Sequence, residues 1–180
     1  MSDHTNAKWK PKAILFDLLT ALLDSWSTWT LAVLALPKIT PESANVLALT
    51  WRNRYLELTF GCGAYVSYES LVAQSAQDVG LHESAAELLL QKWETLEPWP
   101  EVRNVLEKLR GKGYKLGVVT NCSRELGSKA ADRVGTEFDA VVTAEEAGYV
   151  DISTLTSIML TYAQILQAPQ GSVSSRRGRP

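Results

Sequence analysis

The sequence predicts an α/β fold: a doubly wound parallel sheet interrupted near its start by an all-helical insertion. Three observations predict it. Lys12 to Asp17 reads KAILFD, a short apolar run that ends in an acid and starts sharply after Pro11. Two further runs, KLGVVT at Lys115 to Thr120 and FDAVVT at Phe138 to Thr143, come late in the chain and flank a helical pattern. Between the first run and the others lies a long stretch with almost no strand signal. Continuous apolar runs of this length suit strands buried on both faces of a parallel sheet. Helix and strand in alternation call for right-handed crossovers.

The elements follow in order. Residues 1–11 form a polar, flexible lead. Residues 12–19 and 98–148 are the expected core, and residues 20–97 the helical cap. Within the cap, Ala44, Leu47, Ala48, Trp51, Tyr55 and Leu58 recur at helical spacing. Pro41 and Glu42 suit a first turn, and Gly61 and Gly63 a stop. Leu71 to Val79 predicts a second cap helix closed by Gly80. Leu88, Leu89, Trp93 and Leu96 predict a third. After Pro98 and Pro100, Val102 to Leu109 reads as a core helix ending at Gly111, and Arg124 to Val134 as another.

The 180 residues carry a net charge of -2, with 46% hydrophobic and 21% charged residues. Neither a nucleic acid nor an acidic membrane surface is favoured as partner. No apolar run approaches the ~20 residues of a membrane span. The lead lacks the apolar segment of a secretory signal. Cys62 and Cys122 form no metal-binding or disulfide pattern, so a reducing, cytoplasmic setting is expected.

Asp17 ends the first strand, where open α/β sheets bind ligands. A carboxylate there suits either a nucleophile or a cap for the next helix. Thr120 and Asn121 end the second strand, as donors for a carboxylate or developing oxyanion, or again as a cap. Arg52 offers a permanent forked donor for small anions, or is a solvated helix residue beside Trp51. Trp26, Trp29, Trp51, Trp93 and Trp99 suit a pocket wall or plain cap core. Cys122 reads as a buried strand-end thiol.

The ordered set carries a resemblance. AILFDLLTALLD resembles the first motif of the haloacid dehalogenase superfamily. KLGVVTNCS resembles its second. FDAVVTAEEAG is similar to the stretch before its third. TWRNRYLEL resembles the cap segment of the 2-haloacid dehalogenase branch. The resemblance implies a Rossmann-like core and hydrolysis of a small 2-haloacid, without metal or cofactor. In it Asp17 is the nucleophile, and Arg52, Thr120 and Asn121 bind the substrate. A small carboxylate is the expected partner, with a second copy of the chain as a further option. Leu19 stands where the phosphatase branch has a second acid, and leucine transfers no proton. Thr20-Ala21 replaces the usual Gly-Thr.

After Gly148 the resemblance breaks. No lysine follows Lys129, so the motif-three lysine is missing. Residues 149–180 are expected to be an aberrant, disordered tail, read as a retained intron followed by frameshifted exon. Gly148-Tyr149-Val150 permits a splice-donor string, Leu160-Thr161 a branch-point-like one and Ala163-Gln164 an acceptor. The span is sixteen codons plus one base, not a multiple of three. Read one base later, ILQAPQGSVSSRRG permits FYKPHKGPYQVAVD, which restores the third motif. The expectation is a C-terminally truncated dehalogenase-like hydrolase, weak or inactive as it stands. The alternatives are an inactive remnant or a hydrolase of another small ester or phosphate.

Overall fold

The computed structural model describes residues 11–148. The expected tail, 149–180, and residues 1–10 of the expected lead lie outside them.

Three parallel strands form one sheet in the order β1-β2-β3: β1 (Ala13–Asp17), β2 (Lys115–Thr120) and β3 (Ala140–Thr143). The register sets Asp17 opposite Val119 and Thr120 opposite Thr143, so the carboxyl ends of all three strands share one edge. These strands supply one winding of the sheet. β2 is buried along most of its length. β1 is only half-buried, because among the described residues it pairs on one side alone. The sequence predicts burial of β1 on both faces, and the open edge explains the difference. At Gly117 the strands and their side chains close up: a Cβ there would lie 2.4 Å from Leu15 Cδ2.

β3 begins two residues later than its apolar run. Asp139 is bonded outside the strand ladder: its N–H donates to Leu116 O at 2.8 Å and its Oδ2 accepts from Leu116 N at 2.9 Å. A one-turn helix, α7 (Ala144–Ala147), follows β3, with a capping box between Thr143 and Glu146. Gly148 closes it at φ 74°, in the left-handed region where a Cβ is disfavoured.

The chain between β1 and the helix α5 (Val102–Gly111) is helical. It comprises α1 (Ser25–Leu34), α2 (Pro41–Gly61), α3 (Tyr68–Asp78), α4 (Ala85–Gln91) and a 3₁₀ turn at Trp93–Thr95. Thr40 caps α2 in a reciprocal box with Ser43, and Pro41 holds the first position, where a missing N–H costs nothing. The sequence predicts one helix through Leu88 to Leu96. The structure splits it, α4 ending before the tighter turn that places Trp93 inward. α1 packs against α2 and α4, α2 against α3, and α3 against α4.

Aromatic rings run through this block. Trp29 meets Trp51 at 4.6 Å between centroids, Tyr55 meets Tyr68 at 5.2 Å, and Tyr68 meets Trp93 at 5.1 Å. Trp51 is fully buried and its Nε1 donates to Val72 O and Ser75 Oγ, so the ring hides without losing its polar bond. Truncating it to Ala costs about 3–5 kcal/mol by the cavity it leaves.

Two strands of backbone join the block to the sheet. Leu23 bridges Pro98 antiparallel, Asp24 N donates to Glu97 O at 2.8 Å, and Trp99 N donates to Leu22 O at 3.1 Å. Arg133, at the end of α6 (Arg124–Arg133), braces the return through Leu96 O and Glu97 Oε1. Among the described residues no helix is long and apolar enough to cross a membrane.

Candidate active site

Asp17 closes β1 and is exposed at the shared strand edge. Its Oδ2 accepts from Thr20 N at 3.0 Å, Thr20 Oγ1 at 2.6 Å and Ala21 N at 3.3 Å. Its Oδ1 accepts no hydrogen bond among the described residues. One oxygen is therefore anchored, and the other is open among the described residues. Asp17 does not cap the next helix: Asp24 caps α1, accepting from Ser27 N at 3.0 Å. The Thr20 loop is held from the far side, where Trp99 Nε1 donates to Thr20 O at 3.0 Å.

Thr120 closes β2 and is 2% exposed. Its hydroxyl donates to Cys122 Sγ at 3.2 Å, so this donor is turned inward. α6 is capped by Ser123, not by Thr120 or Asn121. Gly127 lets α6 approach the strand ends: a Cβ there would lie 2.7 Å from Thr143 Cγ2 and 3.0 Å from Thr120 Cγ2. Asn121 is half-buried at the strand edge, near enough to the Tyr55 hydroxyl on α2 to influence its titration. Burial is the chief cause that raises the Tyr55 pKa, with Cys122 adding to it and Thr59, Arg52 and Asn121 opposing it. Tyr68 is likewise raised, first by burial.

Arg52 lies one turn before Tyr55 on α2. Its guanidinium carbon stands 3.8 Å from the centroid of the Trp26 ring. It forms no ion pair and no hydrogen bond among the described residues. Arg54, Arg110, Arg124 and Arg133 each meet a carboxylate. Burial draws the Arg52 pKa below its ordinary value, while Tyr68, Tyr55 and Asp17 pull the other way. An arginine that is half-buried, charged and unpaired has its donors available for an incoming anion.

Cys122 is fully buried, and burial above all pushes its thiol up to about 12. A protonated buried thiol is a poor nucleophile. Trp29, Trp51 and Trp93 are core residues, Trp93 donating to Leu126 O at 2.9 Å. Trp26 and Trp29 also border a cleft of about 330 Å³ between α1 and α2. None of Asp17, Arg52, Thr120 or Asn121 lines it. Among the described residues no three His, Cys, Asp or Glu side chains gather as a metal site.

Sequence reasoning misses several participants. Tyr55 reads only as a core position, although its i+3 spacing from Arg52 sets both on neighbouring faces. Glu69 gives no signal at all: it accepts from Ser123 Oγ at 2.9 Å, and its Oε2 is buried without a partner among the described residues. The stacking of Trp26 on Arg52 joins two helices and is invisible along the chain.

A family model for haloacid dehalogenase-like hydrolases matches residues 11–172. The chain belongs to the haloacid dehalogenase-like hydrolase family. Two curated relatives of this family are similar to it. Haloacetate dehalogenase H-2 from Moraxella sp. (strain B) is 28% identical over 149 residues, which cover 77% of this chain and 65% of the relative. (S)-2-haloacid dehalogenase 2 from Pseudomonas sp. (strain CBS-3) is 26% identical over 146 residues, 75% of this chain and 62% of the relative. The chain thus spans less than two thirds of the length of these relatives. The solved structure of the L-2-haloacid dehalogenase from Xanthobacter autotrophicus superposes with a TM-score of 0.68 at 23% identity, covering 90% of this chain and 67% of that one. This likeness establishes the haloacid dehalogenase fold: a parallel α/β sheet with a helical insertion after its first strand.

Proposed function

We propose that this haloacid dehalogenase-like chain carries the machinery for hydrolytic dehalogenation of a small 2-haloacid, with Asp17 as nucleophile. The observation that carries the reading is the unpaired Arg52 guanidinium, which lies within the field of the Asp17 carboxylate. A cation with no ion-pair partner among the described residues, on which the Asp17 carboxylate acts only at longer range, suits a substrate that is itself a carboxylate and releases an anion.

The chemistry balances in two steps. Asp17 Oδ1 attacks the α-carbon, forming a C–O ester bond while the carbon–halogen bond breaks and halide leaves with the electron pair. Water then attacks the Asp17 ester carbonyl, releasing the 2-hydroxy acid and a proton and restoring the carboxylate. The three donors on Oδ2 fix the carboxylate plane, so attack starts from an oriented oxygen. Arg52 holds the substrate carboxylate or the leaving halide. Asn121 offers its amide, and Thr120 fixes the strand end from which Asn121 projects. In this reading residues 20–97 are a cap that brings Arg52 over the sheet edge. A reducing cytoplasm suits Cys62 and Cys122, both free thiols.

A second reading is that this 180-residue chain turns over weakly or not at all. One observation favours it: no lysine or arginine pairs with Asp17 among the described residues, and no lysine follows Lys129 in the sequence. Hydrolysis of a generic phosphate ester is disfavoured by Leu19, which offers no proton two residues after Asp17. Chloride release from 2-chloropropionate separates these readings. Asp17-dependent release supports dehalogenation. Asp17-dependent turnover of a phosphate ester with no chloride release supports the phosphatase reading. No turnover of either supports the inactive one.

A further inference from the structure

The Arg52 guanidinium is unusual for what holds it. A half-buried cation is ordinarily matched by a carboxylate, as Arg54 is by Asp78 at 2.7 Å. A carboxylate partner would claim the in-plane N–H donors and cancel the charge. An aromatic ring acts differently: its negative face attracts the cation from above and takes no hydrogen bond. Trp26 occupies that place, 3.8 Å from the guanidinium carbon. It projects from the first turn of α1, and Arg52 from α2, so the stack also fixes one helix against the other. Trp26 is 43% exposed and makes no hydrogen bond among the described residues, although tryptophans 51, 93 and 99 all donate through Nε1. Burial alone therefore does not account for a tryptophan at this position.

We infer that Trp26 is the positioning residue of the anion site: its ring holds Arg52 by one face and leaves the guanidinium edge open to a small monocarboxylate. This rests on the reading of Arg52 as the anion holder. The ring supplies attraction without a competing acceptor, so an incoming carboxylate meets all its donors unspent. It also restricts the long arginine side chain to one rotamer before the ligand arrives, which lowers the entropy lost on binding.

The test is calorimetric titration of the full chain with propionate, an unreactive small carboxylate, so that it does not depend on turnover. Wild-type chain binds it saturably, and Arg52→Ala loses at least tenfold in affinity. Trp26→Leu weakens binding about threefold to thirtyfold, the range expected when a cation–π contact is removed. Trp26→Phe restores affinity to within about threefold of wild type, because the ring face is kept. Thermal melts of both Trp26 variants stay close to wild type, since the position is partly solvated. If Trp26→Leu binds like wild type while Arg52→Ala does not, or if Trp26→Phe fails as badly as Trp26→Leu, the inference is overturned and the anion site stands. If wild-type chain shows no saturable binding, or Arg52→Ala binds equally well, the underlying anion reading falls and this inference with it.

Discussion

Thr20 donates to Asp17 twice, through its N–H at 3.0 Å and its hydroxyl at 2.6 Å, and both bonds end on Oδ2. The side chain and backbone of one residue thus lock one oxygen of the carboxylate, while the other, proposed to attack the substrate, accepts no hydrogen bond among the described residues. Thr20→Val keeps the N–H and the shape and removes the shorter bond. The expected result is a stability loss of about 1–2 kcal/mol in urea denaturation, since a hydrogen bond to a charged group is lost. Any Asp17-dependent chloride release should fall about tenfold or more, because the proposed nucleophile is no longer oriented.

Trp99 supports the same loop from outside through its bond to Thr20 O at 3.0 Å. Trp99→Phe leaves that carbonyl unpaired in a half-buried place. It should cost about 1–3 kcal/mol, and amide exchange at Thr20 and Ala21 should quicken while exchange in β2 does not. Unchanged exchange in the loop would show that Trp99 does not brace it.

Gly127 sets how closely α6 packs on the strand ends. Gly127→Ala forces a methyl to within 3.0 Å of Thr143 and Thr120 and should destabilise the chain by about 1–3 kcal/mol through overpacking. Gly111→Ala is the control: a Cβ there meets nothing within 4 Å, and the change should be neutral or stabilising by up to about 1 kcal/mol. Urea midpoints of the two variants separate the cases.

How far these relationships are legible in the sequence depends on their range. β2 is readable because KLGVVT has an apolar centre, Leu116 to Val119, between polar ends. α2 is readable because Ala44, Ala48, Trp51 and Tyr55 keep one helical stripe. α1 is poorly readable: SWSTWTLAVL mixes Ser, Thr and Trp and keeps no clean stripe, and Trp26 and Leu31 on it stay exposed. The break between α4 and the 3₁₀ turn follows from where Trp93 finds Tyr68 and Leu126 O, contacts that no local pattern records. At the site, the residue types are legible and their orientations are not. The inward turn of the Thr120 hydroxyl towards Cys122 is decided by α6 packing across Gly127, and the Glu69 to Ser123 bond by α3 meeting the start of α6.

Burial holds the Cys122 thiol at about 12 and raises Tyr55 and Tyr68, so alkali should destabilise the fold. The sign follows from proton binding. The folded chain keeps these groups protonated at pH values where the unfolded chain has begun to lose the protons. The stabilisation is therefore full below the ordinary thiol pKa of about 8.5 and declines from there up to about 12. Urea midpoints at pH 7 and pH 10 should fall between the two for wild type, and fall less for Cys122→Ala. Equal slopes for the two chains would remove Cys122 from the explanation.

The central claim is that Asp17 forms a covalent ester with its substrate. The most direct measurement is mass spectrometry of the Asp17 peptide after prolonged incubation of the chain with 2-chloropropionate in water enriched in oxygen-18. Hydrolysis of an Asp17 ester by water at the carbonyl leaves oxygen-18 in the side chain, so the account predicts a labelled Asp17 peptide, however slow the turnover, and no label in Asp17→Asn. An Asp17 peptide that stays unlabelled would contradict it, whether label enters the 2-hydroxy acid by direct attack of water or no product forms at all.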